Sequence, residues 1–159
     1  MQKGIDLKLA RKKSLAGLYD LNLVNGELEL VDNFDTSLQM SVYCERRADG
    51  SEVLAPQNRR GWWGNTVSTI LGFEIGSKIW IYYQSRLDQI VLNKIVTAAQ
   101  QATQWYVTEG YLDKVEVDGR IVGDSTVQLI FKLYRSPDEI ESKSFTLWDN
   151  TESFDERSL

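Results

Sequence analysis

The segment from residue 88 to residue 110 restricts the possible folds of this chain more than any other segment does. Its apolar residues recur every three or four positions, and polar residues, several of them glutamines, fill the positions between. The apolar set is Val91, Ile95, Ala98, Ala102 and Trp105. Asp88 suits a helix N-cap, and Gly110 suits a helix end, because glycine tolerates the left-handed conformation found there. The pattern predicts one long amphipathic helix, whose apolar side needs a second element to cover it.

Beyond residue 110 the apolar residues alternate, which is the period of a β-strand buried on one side. The alternating residues are Val115 and Val117, then Val127, Leu129, Phe131 and Leu133, then Phe145 and Leu147. Turn-forming sequences separate these runs, at Asp118-Gly119, Gly123-Asp124 and Ser136-Pro137-Asp138. We therefore expect an antiparallel β-meander packed on the long helix, in a single small α+β domain.

The N-terminal part predicts a β-hairpin followed by short helices. Residues 18–24 and 27–31 both alternate, and the Asn25-Gly26 pair between them suits a two-residue hairpin turn. The leucines expected to share one buried face are Leu21, Leu23, Leu28 and Leu30, and Ile5, Leu7 and Leu9 suggest an earlier strand. Residues 35–37 supply N-cap side chains for a helix of about twelve residues, in which Leu38, Val42 and Cys44 are expected to turn inward.

The C-terminal residues 136–159 are expected to stand apart from a domain of residues 1–135. Residues 142–148 alternate like a strand, and an acidic tail without periodicity follows them. A strand in this position is predicted to lie at a sheet edge, where unpaired backbone groups can accept a strand from a neighbouring subunit. Phe145 and Leu147 are therefore predicted to contact a partner.

Composition excludes several kinds of site. The chain contains no histidine, so catalytic triads and zinc centres built on histidine are excluded. Cys44 is the single cysteine, so an intramolecular disulfide and a Cys-x-x-Cys pair are excluded too. No apolar run approaches the roughly 20 residues that span a bilayer, and the first residues lack the apolar core of a signal peptide. We expect no metal, no cofactor and no membrane, and a protein that stays soluble in the cytosol where it is made.

The distribution of charge argues against a nucleic-acid partner. The net charge is −5, with +4 over residues 1–13 and −5 over residues 136–159. A nucleic-acid-binding protein needs a basic field over much of one face, which five cations at one terminus do not provide. The opposite charges of the two ends could instead guide neighbouring copies together.

Residues 48–65 read as a long ordered loop that contains Arg59-Arg60-Gly61-Trp62-Trp63-Gly64. Arginine beside tryptophan could bind a nucleic acid through phosphate contacts and base stacking. The same residue types are enriched at protein interfaces, and tryptophans can also fill a gap in a core. Core packing or a protein interface is favoured here, because the chain lacks a basic surface.

Carboxylate pairs can hydrolyse glycosidic bonds, and Glu45, Glu74 and Asp88 lie near the aromatic segment. None of the three belongs to a recognisable motif. We expect them to be surface charges or helix caps, because acidic side chains are rarely fully buried.

Several short stretches occur together in a distinctive order. They are Asp20-Leu21-x-Leu23, Gly26-Glu27-Leu28-x-Leu30, Asp35-Thr36-Ser37-Leu38, Glu45-Arg46-Arg47-Ala48, Arg59-Arg60-Gly61-Trp62-Trp63-Gly64, Gly76-Ser77-Lys78-Ile79-Trp80 and Gln104-Trp105. Over residues 5–135 their order and spacing resemble the baseplate protein family of Mu-like contractile-tailed phages. That family is similar to the small baseplate wedge proteins sometimes labelled lysozyme-like. The basic stretch near Arg11 and the acidic end after Ser136 depart from the family pattern.

The resemblance implies a structural subunit of the virion tail baseplate, without catalysis or cofactor, assembled in the cytoplasm of the bacterial host. It implies several copies in a ring around the tail tube, joining wedge proteins to the first ring of the sheath. The implied partners are other wedge proteins, the sheath and tube-associated hub proteins, with the Arg59–Gly64 loop at a contact. Two other functions stay open, a tail-associated, lysozyme-like glycan hydrolase and a free-standing protein-binding adaptor.

Overall fold

The computed structural model of the protein describes residues 6–11, 19–55, 57–67, 69 and 73–147. The strands are β1 (Asp6–Leu7), β2 (Leu9–Arg11), β3 (Tyr19–Leu21), β4 (Leu23–Val24), β5 (Glu27–Leu28), β6 (Leu30–Val31), β7 (Lys114–Val122), β8 (Thr126–Ser136) and β9 (Glu139–Leu147). The helices are α1 (Asp35–Tyr43), α2 (Gly64–Val67), α3 (Gln89–Thr103) and α4 (Trp105–Thr108), with a 3₁₀ turn at Ile79–Tyr82. Ile5 of the predicted first strand, the basic residues Lys12 and Lys13, and the acidic tail of residues 149–159 lie outside the described residues.

The predicted antiparallel meander is confirmed by a sheet of order β7-β8-β9. Val117 lies opposite Phe131, and Leu129 lies opposite Phe145. The alternating side chains of β8 form the centre of the core, since Val127, Leu129, Phe131 and Leu133 are fully buried. The fold is the predicted single α+β domain.

The predicted helix of residues 88–110 is confirmed, with a break at Gln104 that divides it into α3 and α4. The Asp88 carboxylate accepts the backbone N–H of Val91 at 2.8 Å, and Gly110 has a φ of 75°. The apolar side of α3 packs on β7 at close range, where a Cβ on Gly119 would lie 2.6 Å from Cγ2 of Val96. The strand needs a glycine there for the helix to approach.

The prediction of a twelve-residue helix capped by residues 35–37 is wrong in detail. α1 has nine residues, Phe34 occupies the N-cap position, and Asp35 is already helical. The capping oxygen comes from β1, because the Asp6 carboxylate accepts the Ser37 N–H at 2.9 Å and the Ser37 hydroxyl at 3.1 Å. The Tyr106 hydroxyl donates in turn to the Ser37 oxygen at 2.8 Å. One chain of hydrogen bonds therefore ties the first strand to α1 and α4.

The N-terminal strands form three short pairs that meet at one point. β4 pairs with β5 through the predicted Asn25-Gly26 turn, whose residues have φ of 53° and 85°. β1 pairs with β6, and β2 pairs with β3. At the junction three backbone hydrogen bonds form a closed triangle. The Lys8 N–H donates to the Glu29 carbonyl, the Glu29 N–H to the Asn22 carbonyl and the Asn22 N–H to the Lys8 carbonyl, at 2.9 to 3.0 Å. We call residues 6–11 with 19–31 the three-armed sheet.

The expected division between residues 1–135 and 136–159 stays a prediction. β8 runs through residue 135, and β9 returns beside it as far as Leu147. Through β9, Phe145 and Leu147 join the main core, with 9% and 2% of their surfaces exposed.

Candidate assembly surfaces

The segment Arg59–Gly64, called here the tryptophan loop, is held to the body of the domain by backbone hydrogen bonds. The Trp62 N–H donates to the Glu45 carbonyl at 2.6 Å, and the Ala48 N–H donates to the Arg59 carbonyl at 3.0 Å. On the other side of the same segment, the Arg46 N–H donates to the Ser77 carbonyl at 2.9 Å. Residues 45–48 therefore lie between the tryptophan loop and residues 76–78.

The shape of the tryptophan loop depends on its glycines. Gly61 has a φ of 124° beside Arg47, and a side chain at this φ would be strained. A Cβ on Gly64 would lie 2.3 Å from the Trp62 ring, so the indole packs directly over the glycine backbone. Arg60, with a φ of 46°, adopts the left-handed conformation without being a glycine, which is uncommon and costs conformational energy.

The side chains of the tryptophan loop lie outside the main core cluster. Trp63 exposes 71% of its surface, and Trp62 is half-buried, with the two ring centroids 5.8 Å apart. The buried indole of this region is Trp80, whose ring N–H donates to the Arg46 carbonyl at 2.8 Å. The Arg60 guanidinium lies over that ring at 5.1 Å. The tryptophan that fills the core in this region is thus Trp80. A partner contact through the tryptophan loop stays a prediction.

Ion pairs surround the tryptophan loop. Arg60 pairs with Glu45 at 2.7 Å, and Arg46 pairs with Glu74 at 2.8 Å. These pairs, with the Asp88 helix cap, give structural roles to the three carboxylates considered for hydrolysis. Partial burial opposes the charged form of Lys78, but hydrogen bonds to Glu52 and Asp49 outweigh it and raise its pKa. The segment is held together by charge as well as by backbone contacts.

The leucines of the three-armed sheet share one face, as predicted, but the prediction that the face is buried is wrong. Lys8 and Asn22 both bond the Glu29 carboxylate, the lysine at 3.0 Å, so these three side chains lie on one side of the sheet. Neighbouring residues point to the opposite side, because side chains alternate along a strand. That side carries Leu7, Leu9, Leu21, Leu23, Leu28 and Leu30, which we call the leucine face. Leu21, Leu23, Leu28 and Leu30 are 39%, 63%, 45% and 58% exposed.

The two edges of the meander differ. The Gln100 side chain occupies the edge of β7, donating to the Val115 carbonyl at 2.8 Å and accepting the Val117 N–H at 3.1 Å. β9 forms the opposite edge and pairs with β8 alone among the described strands. Its Phe145 and Leu147 side chains are buried, so a partner at this edge would meet backbone rather than these two side chains.

The described residues hold no group of three or more Cys, Asp or Glu side chains arranged to bind a metal ion. Cys44 is half-buried, and burial raises the pKa of its thiol. None of the described helices is long and apolar enough to cross a membrane.

A small α+β domain that leaves an apolar sheet face exposed has the architecture of a protein that binds other proteins. The chain belongs to the family described as Phage protein GP46, whose model matches residues 34–139. The tryptophan loop lies inside this match, and the three-armed sheet precedes it.

Two relatives agree with the family assignment. The chain is 31% identical over 98 residues to the Mu-like prophage FluMu protein gp46 of Haemophilus influenzae, covering 62% of this chain and 65% of that protein. It is 28% identical over 88 residues to the Baseplate protein gp46 of Escherichia phage Mu, covering 54% of this chain and 59% of that protein. The match therefore spans less than two thirds of either relative. The resemblance to Mu-like phage baseplate proteins is confirmed.

Proposed function

We propose that this chain is a structural subunit of a contractile phage tail baseplate. The family and the printed name of the phage Mu relative support a baseplate role. The observation that carries the proposal is the leucine face, on which four leucines are 39–63% exposed although the domain has a well-filled core elsewhere. Contiguous exposed apolar residues on a small protein mark a surface that another protein covers.

In this role several copies surround the tail tube and join wedge proteins to the first ring of the sheath. The partners are other wedge proteins, the sheath and tube-associated hub proteins, and neither nucleic acid nor membrane takes part. The protein is located in the virion tail after assembly in the host cytoplasm. A ring of this kind needs several separate contact surfaces on each copy, and the leucine face, the tryptophan loop and the β9 edge are three candidates.

Substitution on the leucine face tests the proposal directly. Leu23 and Leu28 lie opposite each other across β4 and β5, and both are largely exposed, so Leu23→Ser with Leu28→Ser should leave the domain folded. Co-purification with the baseplate proteins of its phage should fall at least severalfold. Ile90→Ser is the matched control, because Ile90 is 67% exposed and belongs to α3 rather than to the three-armed sheet. Equal co-purification of both variants would mean that the leucine face is not a joint.

Arg60→Ala tests the tryptophan loop. The arginine pairs with Glu45 across exposed surface, and such pairs contribute about 0–1 kcal/mol, so the free domain should stay folded. Binding to wedge proteins should weaken, while Arg120→Ala, an exposed arginine on β7, should bind like the unchanged protein. If Arg60→Ala unfolds the free domain and leaves assembly intact, the arginine is an internal support and the joint lies elsewhere.

We propose no catalytic role for the chain. A lysozyme-like hydrolase needs two carboxyl groups, one of them held protonated, beside the substrate. Glu45 and Glu74 are instead engaged with arginines at the surface. Clearing of purified cell wall by the protein, abolished by Glu45→Gln or Glu74→Gln, would contradict the structural role. Stable binding to one soluble partner, with no affinity for baseplate proteins, would favour a free-standing adaptor.

A further inference from the structure

A cavity of about 560 Å³ lies between the ion-paired segment and the C-terminal half of α3. Its wall contains four cationic side chains, Arg46, Arg47, Arg59 and Lys78, and two acidic ones, Asp49 and Glu74. The volume is in the range of ligand sites, roughly 300–1,000 Å³. The lining therefore has an excess of positive charge, although the chain as a whole has a net charge of −5.

The acidic side chains of the wall do not neutralise its cations. Arg46 pairs with Glu74 at 2.8 Å, and Lys78 pairs with Asp49 at 2.9 Å and with Glu52, which lies beside the lining, at 2.7 Å. Arg59 is 3.9 Å from the same Asp49, which already bonds the lysine. Arg47 donates to the Arg60 carbonyl at 3.4 Å and has no ion pair with any described carboxylate. An acidic ligand would complete the charge balance of this wall.

The opposite wall suits an extended peptide. Gln101 and Gln104 line the cavity from exposed positions on α3. A glutamine amide both donates and accepts hydrogen bonds. It can therefore bond the N–H and C=O groups that an extended peptide backbone presents. Cations on one wall and amides on the other match a peptide rich in carboxylates.

The chain itself contains such a peptide. Residues 149–159 carry Asp149, Glu152, Asp155 and Glu156 against one cation, Arg157. In the sequence this tail begins two positions after Leu147, which ends β9 and is the last described residue. Charge complementarity and chain continuity both indicate the tail as the occupant of the cavity.

Distance along the sheet decides between the tail of the same copy and that of a neighbour. The cavity lies near Val115, which Gln100 contacts, whereas Leu147 is opposite Val127, and Val127 is opposite Ile121. Val115 and Ile121 are separated by roughly 20 Å along β7. A fully extended chain covers at most about 3.6 Å per residue, so Asp149 and Glu152 lie within roughly 7 and 18 Å of Leu147. Asp155 and Glu156, eight and nine positions after Leu147, could span about 20 Å within one copy, but the four acidic residues together can enter only the cavity of another copy.

We infer that this cavity binds the acidic C-terminal segment, residues 149–159, of a second copy of the chain. The inference rests on the proposed function, because the baseplate role is what brings several copies of the chain next to one another. Each copy would give its tail to one neighbour and receive a tail from another, which is a head-to-tail contact of the kind that forms a ring when the rotation between copies closes.

A synthetic peptide of residues 148–159 titrated into the isotopically labelled full chain tests the site. Amide signals of Gln101 and Gln104 should shift on addition, and the shifts should decrease at high salt, because the contacts are largely electrostatic. Arg47→Glu should weaken peptide binding about fivefold or more, whereas Arg120→Glu, on exposed β7, should not. A peptide with its four acidic residues replaced by their amides should not bind. Equal binding by Arg47→Glu, or no shifts at the cavity, would overturn the inference.

Zero-length carbodiimide coupling of the full chain identifies the source of the tail. Lys78, the lysine of the cavity wall, should become joined to acidic residues of the tail. In a mixture of light and heavy isotopic chains, these joined peptides should include mixed pairs. Joined peptides from single chains alone would overturn the assignment to a second copy. This failure would leave the leucine-face experiment unaffected, so the two proposals can fail separately.

Discussion

Gly119→Ala is expected to destabilise the domain by forcing α3 away from the sheet. A Cβ at this position would lie 2.6 Å from Cγ2 of Val96 and 3.2 Å from Cδ1 of Leu92. Favourable carbon contacts begin near 3.5 Å, so the valine methyl would have to move by about 1 Å. Leu92 can change rotamer, but Val96 is β-branched and holds one rotamer in a helix. The helix itself must therefore shift.

Two effects of opposite sign set the magnitude. Overpacking of a core costs about 1–3 kcal/mol, and replacing a strand glycine with alanine gains about 0.5–1 kcal/mol. The packing cost is larger, so the free energy of unfolding should fall by about 1–2 kcal/mol. For a domain of this size the melting temperature should fall by about 2–4 °C per kcal/mol.

Urea denaturation of a double-mutant cycle checks the mechanism. Val96→Ala removes the obstructing methyl, so in that background Gly119→Ala should be neutral or stabilising by about 0.5–1 kcal/mol. The coupling free energy should be about 1–3 kcal/mol. Val91→Ala is the matched control, because Val91 is a half-buried valine of α3 that is not among the side chains nearest to Gly119. An equal cost of Gly119→Ala in both valine backgrounds would refute the close crossing.

Two predictions concern the hydrogen bonds around Ser37. Asp6→Ala removes the carboxylate that caps α1 and should cost about 0.5–2 kcal/mol in urea denaturation, while Asp6→Asn, which keeps an acceptor, should cost less. Burial raises the pKa of Tyr106 above its ordinary value, so the unfolded chain loses this proton first and stability falls as pH rises above about 10. Tyr106→Phe should reduce the slope of the unfolding free energy against pH in this range by up to about 1.4 kcal/mol per pH unit. An unchanged slope would contradict the role given to Tyr106.

The long helix could be predicted because its signal is local, but the break at Gln104 could not. Periodicity assigns each residue a direction 100° from the last, and it does not show where a helix is interrupted. After the break, Trp105 and Tyr106 of α4 both contact α1, with Trp105 donating to Ser41 at 3.0 Å and Tyr106 to Ser37 at 2.8 Å. Their rings stack with centroids 3.9 Å apart. The break at Gln104, where its N–H donates to the Gln101 carbonyl at 3.4 Å, comes directly before this pair. The contacts of the pair with α1 are tertiary contacts that no local period encodes.

The cap of α1 was missed for a related reason. Residues 35–37 offer suitable side chains next to the helix, and a sequence pattern favours the nearest candidate. The acceptor that bonds Ser37 belongs to Asp6, far away along the chain, and its position depends on the pairing of β1 with β6. The tryptophan loop is a second example. The sequence analysis considered Trp62 and Trp63 as core-filling residues, whereas the buried indole of that region is Trp80. Local patterns identify which backbone groups need a hydrogen-bond partner and which residue types can be buried. The tertiary structure determines which side chain fills each role.

The leucine face shows most clearly what a pattern can and cannot predict. Alternation determines which side chains share a side of a strand, because that follows from backbone geometry alone. It does not determine what covers the shared side. In the three-armed sheet, Lys8, Asn22 and Glu29 bond one another on one side, which directs the flanking leucines to the other. The remainder of the described domain leaves four of them 39–63% exposed, so the alternation that usually indicates a core does not indicate one here. The predicted hairpin of residues 18–24 and 27–31 exists only at β4 and β5, since β3 pairs with β2 and β6 pairs with β1. Alternation thus determines the side on which a residue lies, and the partner strand depends on the rest of the chain.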